Sequence, residues 1–481
     1  MNISTKIYAH SPVFLQNLAI SAYGYSWQRR RFGGIFEQEL HAFKTREAFT
    51  AEQFCDYQTA QLRRLLAHAF ETVPHFQKTF KASGFNNSSL QKFELQDLPR
   101  LPFLEKTMLR ELGKTDLISR KREPGGQFFG SSGSTGTPTQ ILFSQPMHQR
   151  WSAGFEARVR HWAGVTRHDP RGMIGGRRVV PEGAAKPPFY RYNFVEKQTY
   201  LSAYHISAAN TPDYLEGMKK HGVTYMNGYA MSNYFLARFL EEANLEAPQL
   251  KAVLPSSEKL TPEMRTTFQR VYGCKTYDAW SGVEACGLVS ECTCLPCREA
   301  GLPVGKEHGR LHANPDIAIL EFLDPDTGQP ALPGQLAEVV CTGLLNYDQP
   351  LIRYRIGDLM RLSAEPCPCG RQMPVIEEIV GRMEDTVVGP DGREMVRFHG
   401  IFVGIPSIVE GQIIQHDFAD FEVKIVAAKP LTEAERQLLR QRMASQLGEI
   451  KVEIAEVSHI PRGPNGKFKA VISNLKRTAG I

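Results

Sequence analysis

The chain opens with apolar residues at helical spacing. In QTAQLRRLLAHAFETV, residues 58–73, apolar side chains return every three or four positions, and similar spacing extends over residues 50–120. This period is typical of amphipathic helices. The apolar middle of MNISTKIYAHSPVFLQNLAISAYGYSW predicts another amphipathic helix, packed on the body of the protein. We therefore expect the first quarter of the chain to be helical.

After residue 140, short apolar runs alternate with helical segments as far as about residue 340. The segment PQLKAVLPSSEKLTPEMRTTFQRVYGCKTYDAWSG, residues 248–282, has the pattern of strand, turn, helix, strand and turn. The segment YLEGMKKHGVTYMNGY, residues 214–229, has the same alternation. Repeated alternation of this kind predicts an α/β fold with largely parallel sheets.

The pattern changes at residues 377–395. The segment EEIVGRMEDTVVGPDGREM combines a strand, a charged turn and a Pro-Asp-Gly turn. The later segment DFEVKIVAAKPLTEAERQLLRQRMASQLGEIKVEIAEVSHIP predicts strand, helix and strand. About a hundred residues suffice for a small α+β domain. We expect a large domain over 1–380, a connecting segment over 381–386 and a small domain over 387–481.

Composition limits the partners. The 481 residues are 42% hydrophobic and carry a formal net charge of +6. This small and diffuse excess of positive charge is more consistent with binding of anionic small molecules than with binding of nucleic acid. No apolar stretch approaches the length of a membrane span, and the N-terminus lacks the pattern of a secretory signal. We therefore expect a cytoplasmic protein that binds neither nucleic acid nor membrane.

A stretch rich in glycine and hydroxyl residues, FFGSSGSTGTPTQILFSQ, covers residues 128–145. Backbone N–H groups and hydroxyls in such a loop can surround a phosphate, and glycine lets the backbone approach it closely. Two other phosphate motifs do not fit. Thr137 and Pro138 follow Gly136, so the lysine of a P-loop is missing, and the glycine spacing differs from the dinucleotide fingerprint. A flexible surface turn is the alternative interpretation.

The segment SSGSTGTPT resembles the phosphate loop of the adenylate-forming (AMP-forming) ligases, and its surroundings are most similar to their phenylacetate-CoA ligase and CapK-type branch. Further resembling segments follow in the family's order over most of residues 90–475: YMNGYAMSNYFLARFL, LPSSEKL, YDAWSGVEACGL, PLIRYRIGDL, GRMEDTVV and PRGPNGKFKAVI. The resemblance implies a large N-terminal adenylation domain with mixed and parallel sheets, and a small mobile α+β domain behind a hinge.

The resemblance also implies a nucleotide site. Glu284 would hold Mg²⁺, Asp358 would bind the ribose and Trp280 would stack on adenine. Trp280 and Ser281 stand where the family has Tyr-Gly, so the backbone of that turn differs. The implied ATP-binding residues are Ser131, Ser132, Ser134, Thr135, Gly136, Thr137, Ser257, Glu258, Asp278, Trp280, Asp358 and Arg382.

Two features of the predicted small domain and its hinge carry the implied chemistry. Lys467, directly after the glycine of NGKFKAV, would neutralise charge in the adenylation transition state, and Lys469 is the competing candidate. Glu384 and Asp385 would form the hinge about which the small domain rotates between two half-reactions.

The acid pocket would be lined by residues in SAYHIS and NGY. The resemblance assigns this role to Tyr204, His205, Asn227, Gly228 and Tyr229. His205 can equally be a packed core histidine.

Five of the nine cysteines fall in ECTCLPC and CPCG. Closely spaced thiolates in a reducing compartment indicate a metal site, and nine cysteines in so long a chain do not indicate a disulfide scaffold. By resemblance, a structural Zn²⁺ would lie between Cys292, His312, Cys367 and Cys369. Cys294 or Cys297 could replace Cys292 or His312, and buried unligated thiols are the alternative.

The sequence thus predicts an enzyme that uses ATP and Mg²⁺ to convert an aryl or arylacetic acid to an acyl-AMP and transfers the acyl group to coenzyme A. An amine or a carrier-protein thiol is the alternative acceptor, as in polysaccharide or natural-product biosynthesis. A non-catalytic scaffold held together by zinc is the second alternative. A homodimer is left open.

Overall fold

The computed structural model describes residues 3–130, 139–181, 184, 186–293, 308–382, 387–390, 394–395, 399–402, 405, 407–461 and 469–475. The chain divides into two compact units. The first comprises Met1–Ile356 and Met360–Ile379, and the second comprises Gly357–Leu359 and Val380–Ile481. Within the described residues, no helix combines the length and the apolar character needed to cross a membrane.

The helices of the first unit dominate its N-terminal part, as the periodicity predicts. A capping box between Thr50 and Gln53 begins the helix that contains the leucine-rich segment, and Pro74 begins the next helix. The helices are α1 (Ile3–His10), α2 (Val13–Phe32), α3 (Phe36–Arg46), α4 (Ala51–Thr72), α5 (Pro74–Ala82), α6 (Asn87–Gln91), α7 (Lys106–Leu112), α8 (Gln145–Phe155), α9 (Thr211–Lys220), α10 (Ala230–Glu242) and α11 (Pro262–Tyr272), with a 3₁₀ turn at Leu95–Arg100 and a π-helical turn at Glu156–Arg160.

Helix α2 packs on the body through its small and polar side chains. Its buried residues are Gln16, Ser21 and Gly24, whereas Phe14 and Leu18 are exposed. A Cβ added to Gly24 would lie 2.3 Å from the Asn193 side chain, so only glycine permits this close approach. The helix predicted for the N-terminus exists, but it turns the face opposite to the expected apolar one toward the protein.

A six-stranded sheet forms the α/β part of the first unit. Its strands are β3 (Arg171–Gly175), β4 (Tyr190–Asn193), β5 (Gln198–Ser202), β6 (Tyr225–Tyr229), β7 (Ala252–Ser256) and β8 (Lys275–Thr276), in the order β4-β5-β3-β6-β7-β8. All neighbours are parallel except β4 and β5. The predicted α/β class is confirmed.

A seven-stranded sheet adds an antiparallel part that the sequence pattern did not predict. Its order is β12-β13-β14-β15-β11-β10-β9, and the pairs β12–β13, β15–β11, β11–β10 and β10–β9 are antiparallel. The strands are β9 (Ala279–Ser281), β10 (Leu288–Glu291), β11 (Leu311–Ala313), β12 (Ala318–Leu323), β13 (Leu336–Gly343), β14 (Tyr354–Leu362) and β15 (Val375–Arg382). A separate two-stranded ribbon pairs β1 (Gln127–Gly130) with β2 (Gln140–Phe143).

The second unit has its own core around a four-stranded sheet. The order is β20-β19-β18-β21, with β18 and β19 antiparallel and the outer pairs parallel. Leu439 and Met443 of its long helix pack in this core with Phe421 and Ile425. The elements are β16 (Val387–Val388), β17 (Glu394–Met395), α12 (His399–Phe402), β18 (Ile408–Asp417), β19 (Asp420–Ala427), α13 (Glu433–Leu447), β20 (Lys451–Glu456) and β21 (Val471–Ser473).

A buried ion network joins the helical layer of the first unit to the connection between β11 and β12. Both Arg158 and Asp316 are fully buried, and Nη2 of Arg158 donates to Oδ2 of Asp316 at 2.9 Å. Arg46 donates to the same oxygen at 2.9 Å, and Nη1 of Arg158 donates to Glu47 at 2.9 Å. Removing one member of such a network leaves an uncompensated buried charge.

We expect Asp316→Asn to lower the free energy of unfolding by about 3–5 kcal/mol, because two arginines would keep their buried charges without the carboxylate. Urea unfolding followed by circular dichroism measures the change. The control is Glu242→Gln, which breaks the exposed pair between Arg238 and Glu242 and should cost no more than about 0.5 kcal/mol. Equal losses in the two variants would contradict the importance of the buried network.

Candidate active site

The parallel strands of the six-stranded sheet bring several predicted site residues to one edge. Strands β3, β5, β6, β7 and β8 run in the same direction, so their carboxyl ends share an edge. Ligands bind in the crevice at this edge of open α/β sheets. The residues at or just after these ends are Gly176, Tyr204, His205, Tyr229, Ser257, Glu258 and Asp278.

Two predicted pocket tyrosines contact the backbone after β3. The hydroxyl of Tyr204 donates to the carbonyl oxygen of Gly176 at 3.2 Å. Burial raises the pKa of Tyr229 to about 12, nearby Glu258 and Tyr204 add to the rise, and the N–H of Gly176 opposes it by hydrogen bonding the hydroxyl. Tyr229 is therefore neutral at pH 7, and both tyrosines place a hydroxyl beside the backbone of Gly176.

The end of β6 also places Asn227 and Gly228 at this edge. Gly228 has φ +108°, and an added Cβ would lie 1.9 Å from the carbonyl oxygen of Ile174, so glycine is required there. The side-chain oxygen of Asn227 is buried and has no hydrogen-bond partner among the residues that the structure describes. Such an acceptor is available to a donor on a ligand.

His205 is packed on one side and half-buried. Its Nδ1 lies 2.8 Å from the Ser202 hydroxyl, and its ring stacks on Phe189 with centroids 4.9 Å apart. The alternatives given above for His205 are thus not exclusive, because a ring held by packing can still line a pocket at this edge.

Glu284, the predicted magnesium ligand, contacts Thr139, the last residue of the segment SSGSTGTPT that resembles the phosphate loop. The hydroxyl of Thr139 donates to Oε1 of Glu284 at 3.2 Å, and both side chains are buried. Ala285 takes a left-handed backbone with φ +47°. Together the strained turn and the Thr139 hydrogen bond fix where the carboxylate lies.

A buried tyrosine hydroxyl lies near the same carboxylate. Burial raises the pKa of Tyr354 well above its usual value, and the charge of Glu284 adds to the rise. Among the described residues its hydroxyl has no hydrogen-bond partner. Tyr354 was not predicted as a site residue, although it belongs to the quoted segment PLIRYRIGDL.

Some predicted nucleotide residues have structural contacts of their own. Oε2 of Glu258 accepts from the N–H of Met231 at 2.9 Å and so binds the N-terminus of α10. Ser257, next to it, is exposed with φ +67°. Trp280 is buried, and its indole lies so near Gly287 that an added Cβ there would be 2.8 Å from it.

Asp278 lies beside a buried ion pair. Its N–H donates to Oε2 of Glu291 at 2.8 Å, and Glu291 accepts two hydrogen bonds from Arg265. Burial raises the pKa of Asp278 to about 6; Arg265 opposes the rise and Glu291 adds to it. Perturbed carboxyls of this kind are common at functional sites.

The remaining predicted residues are placed as follows. Asp358 is a buried residue of β14, and Arg382 is the last residue of β15. Outside the described residues lie the predicted phosphate-loop residues, the hinge pair, the catalytic lysine and the two spare cysteines: Ser131, Ser132, Ser134, Thr135, Gly136, Thr137, Glu384, Asp385, Lys467, Cys294 and Cys297.

The four residues predicted to hold zinc come together in the first unit. The ligand atoms of Cys292, His312, Cys367 and Cys369 all lie within 4.8 Å of one another. Sγ of Cys292 is 3.7 Å from Sγ of Cys367, and Sγ of Cys369 is 3.5 Å from Nε2 of His312. Thiolates bound to zinc at about 2.3 Å in a tetrahedron lie about 3.8 Å apart. The donor set and its spacing fit a four-coordinate zinc ion.

The strands position these ligands. Cys292 directly follows β10, and His312 is in β11 opposite Ser290. Nδ1 of His312 faces the carbonyl oxygen of Met373 at 3.4 Å, which leaves Nε2 toward the sulfurs. Burial lowers the pKa of His312 to about 4, so the imidazole has the neutral form that ligates metals.

Comparison with known proteins supports the resemblance. A family model described as the CapK C-terminal domain matches residues 387–474. Protein CapK of Staphylococcus aureus is 23% identical, with 98% of this chain and 99% of that protein covered. Phenylacetate-coenzyme A ligase of Thermus thermophilus is 25% identical, with 89% and 98% covered.

A solved structure shares the fold. It is 2-hydroxyisobutyryl-CoA ligase in the postadenylation state with an acyl-AMP, which superposes with a TM-score of 0.67 at 20% identity and covers 89% of this chain and 91% of that one. The resemblance to the adenylate-forming ligases is therefore confirmed: the chain has homologues named CapK and phenylacetate-CoA ligase, and its fold is that of an adenylate-forming ligase.

We expect Asp278→Asn to stabilise the nucleotide-free protein at neutral pH. The raised pKa means that folding disfavours the ionised carboxyl, so stability is lost as the pH rises from the unfolded value near 4 through about 6. The gain in unfolding free energy on substitution should grow by about 1–2 kcal/mol between pH 4.5 and pH 7.5. Urea unfolding at the two pH values measures it, and a gain that is independent of pH would contradict the assignment.

Proposed function

We propose that this protein is an AMP-forming acid–thiol ligase, which activates a carboxylic acid with ATP and transfers the acyl group to coenzyme A. The observation that carries the proposal is the contact between Thr139 and Glu284. It joins the exit of the predicted phosphate loop to the predicted magnesium ligand, so triphosphate and metal would be held together. Homology with phenylacetate-coenzyme A ligases of Thermus thermophilus and Pseudomonas putida supports the reaction class.

In the first half-reaction, a carboxylate oxygen of the substrate attacks the α-phosphorus of ATP and pyrophosphate leaves. The hydroxyls and N–H groups of residues 131–137 would bind the departing phosphates. Glu284 would hold Mg²⁺, whose charge offsets the repulsion between the two anions. Asp358 would accept hydrogen bonds from the ribose, and Lys467 would neutralise charge at the bridging oxygen.

In the second half-reaction, the thiol sulfur of coenzyme A attacks the acyl carbonyl carbon, its proton is lost, and AMP leaves. Glu384 and Asp385 would form the hinge for the rotation of the small domain between the two steps. An amine or a carrier-protein thiol remains the alternative acceptor, since homology with protein CapK of Staphylococcus aureus is as extensive as homology with the ligases.

The acid would enter the edge formed by Tyr204, His205, Asn227, Gly228 and Tyr229. Phe189 stacked on His205 and the two tyrosines offer aromatic surface, which favours an aryl or arylacetic acid. The side-chain oxygen of Asn227, which has no partner among the described residues, would accept a hydrogen bond from a donor on the acid or the acceptor.

We also propose that Cys292, His312, Cys367 and Cys369 hold a structural Zn²⁺. The set closes a four-ligand site, which leaves no position for substrate, and it ties β10 and β11 to the loop before β15. We also expect the protein to be located in the cytoplasm, because its proposed site needs reduced thiolates and its proposed reaction needs ATP.

With ATP and Mg²⁺, the wild-type protein should release pyrophosphate when given an acid from a panel that begins with phenylacetate. Lys467→Ala should slow this adenylation by about 10²–10³-fold, because a charge donor to the transition state is lost. Thioester formation from the corresponding synthetic acyl-AMP and coenzyme A should be spared. Coupled pyrophosphate detection and chromatography of the thioester measure the two steps.

The matched control is Lys469→Ala, two positions away, which should retain adenylation. Equal loss of both half-reactions in Lys467→Ala would argue against its role. Failure of every acid in the panel would favour the non-catalytic scaffold, and activity with hydroxylamine but not coenzyme A would favour an amine acceptor.

Purified protein should contain about one zinc ion per chain, and Cys367→Ser should lose it because a three-ligand site binds zinc more weakly. Inductively coupled plasma mass spectrometry measures the metal. Cys55→Ser is the control, since Cys55 is exposed and outside the cluster. Less than half a zinc per wild-type chain would defeat the proposal.

A further inference from the structure

The ribbon of β1 and β2 has little support from strand pairing. It is a two-stranded sheet, and of β1 only Phe129 is partly buried. Isolated two-stranded ribbons are marginal in water. Gly130 and Gln140 pair at the ribbon's tip, and the chain between them is the predicted phosphate loop. The positions of Gly130 and Gln140, on either side of that segment, therefore depend on what holds the ribbon at its base.

Arg30 of α2 holds the base of the ribbon from one side. Its Nη1 donates to the carbonyl oxygen of Gly125 at 2.8 Å, and its Nη2 donates to that of Phe143 at 2.7 Å. Gly125 lies two residues before β1, and Phe143 is the last residue of β2. One guanidinium thus ties both chain segments at the base of the ribbon to α2 through charge-assisted hydrogen bonds, and its planar fork suits this geometry.

Aromatic packing completes this attachment. The third donor of Arg30, Nε, reaches Nδ1 of His148 at 3.1 Å. The Phe129 ring lies 5.8 Å from Trp27 and 5.4 Å from His148. Burial, together with the charges of Arg31 and Arg30, lowers the pKa of His148 to about 3, so the ring is neutral and Nδ1 can accept. Arg30, Trp27 and His148 form what we call the ribbon clamp.

Side chains satisfy the other edge of β2. Oε1 of Gln349 accepts from the N–H of Leu142 at 2.6 Å, and Nδ2 of Asn346 donates to its carbonyl oxygen at 3.1 Å. These contacts replace a third strand. They fix β2 at Leu142. Arg30 adds a side-chain link to Gly125, just before β1, where the N–H of Gln145 also donates to the carbonyl oxygen of Pro124 at 2.9 Å.

We propose that Arg30 is a positioning residue for nucleotide activation. Through the ribbon clamp it fixes the position of the ribbon, and so of Thr139 and of the Glu284 carboxylate bonded to it. The β- and γ-phosphates of Mg²⁺-bound ATP are held at this place. The inference rests on the proposed function. Arg30 itself contacts neither nucleotide nor metal. Its loss displaces the ribbon, and a misplacement of about 1 Å in such a site can cost 10²-fold.

The test compares binding of Mg²⁺–ATP with binding of AMP by isothermal titration calorimetry on the full chain. In Arg30→Gln the dissociation constant for Mg²⁺–ATP should rise about tenfold or more, while that for AMP, which lacks the β- and γ-phosphates, stays within about twofold. A merely structural defect would weaken both. Arg30→Lys keeps the charge but cannot bridge three acceptors, so its loss should be intermediate.

Arg29→Gln is the matched control, because Arg29 is the exposed neighbour that lies over the Tyr25 ring, and it should bind both nucleotides as the wild type does. If Arg30→Gln does not fold, Arg30→Lys is judged by the same criterion. Unchanged affinity for Mg²⁺–ATP in Arg30→Gln, or an equal loss of affinity for AMP, would contradict the proposed role of Arg30. If the wild type binds neither nucleotide, the proposed function fails, and the clamp fails with it.

Discussion

The parallel alignment of β3, β5, β6, β7 and β8 is the constraint on which the site depends. Backbone hydrogen bonds hold these strands in one direction, so every loop that leaves a carboxyl end emerges at the same edge. Residues from Gly176 to Asp278, about a hundred positions apart, thereby lie along one edge of the sheet. Gly228 marks how tightly the strands approach there, since an added Cβ would strike the carbonyl oxygen of Ile174.

Buried polar pairings hold the other parts of the first unit to this sheet system. Asp316 accepts from Arg46 and Arg158, and Glu291 accepts from Arg265 and from the backbone of Asp278. These ion pairs are tolerated in the interior only while every partner is present, because an unpaired buried charge destabilises the protein. The same principle applies to the ribbon, whose backbone groups are satisfied by side chains where a sheet would supply strands.

The cysteine cluster has a different place in this arrangement. Its residues lie just after β10, within β11 and in the loop before β15. The turn of Glu284 directly precedes β10, and Trp280 pairs with Val289 in the neighbouring strand. A metal held at one end of these strands would stiffen the segment that carries the proposed magnesium ligand at the other, which gives a non-catalytic site a physical connection to the chemistry.

The sequence by itself determined the α/β class and the helical opening, because hydrophobic period and turn residues are local signals. The resemblance named the four residues proposed to hold zinc, and only the folded structure shows that their side chains meet. The sequence also carried the resemblance to adenylate-forming ligases, because the motifs are contiguous. It did not determine the antiparallel sheet, since strand direction depends on pairing partners far apart in the chain. It also missed which face of α2 is buried, because Gly24 and Asn193 meet only in the folded protein.

Within the site, the tertiary structure decided what motif positions could not. Thr139 is part of the quoted SSGSTGTPT segment, yet its bond to Glu284 joins residues 145 positions apart. Arg30 lies in the basic run WQRRR, which as sequence suggests only a solvated surface, but folding turns Arg30 onto the ribbon, pairs Arg31 with Glu196 and leaves Arg29 exposed. Neighbouring arginines differ in role because successive side chains on a helix point in directions about 100° apart. Each arginine therefore meets different residues of the folded protein, and these contacts decide its role.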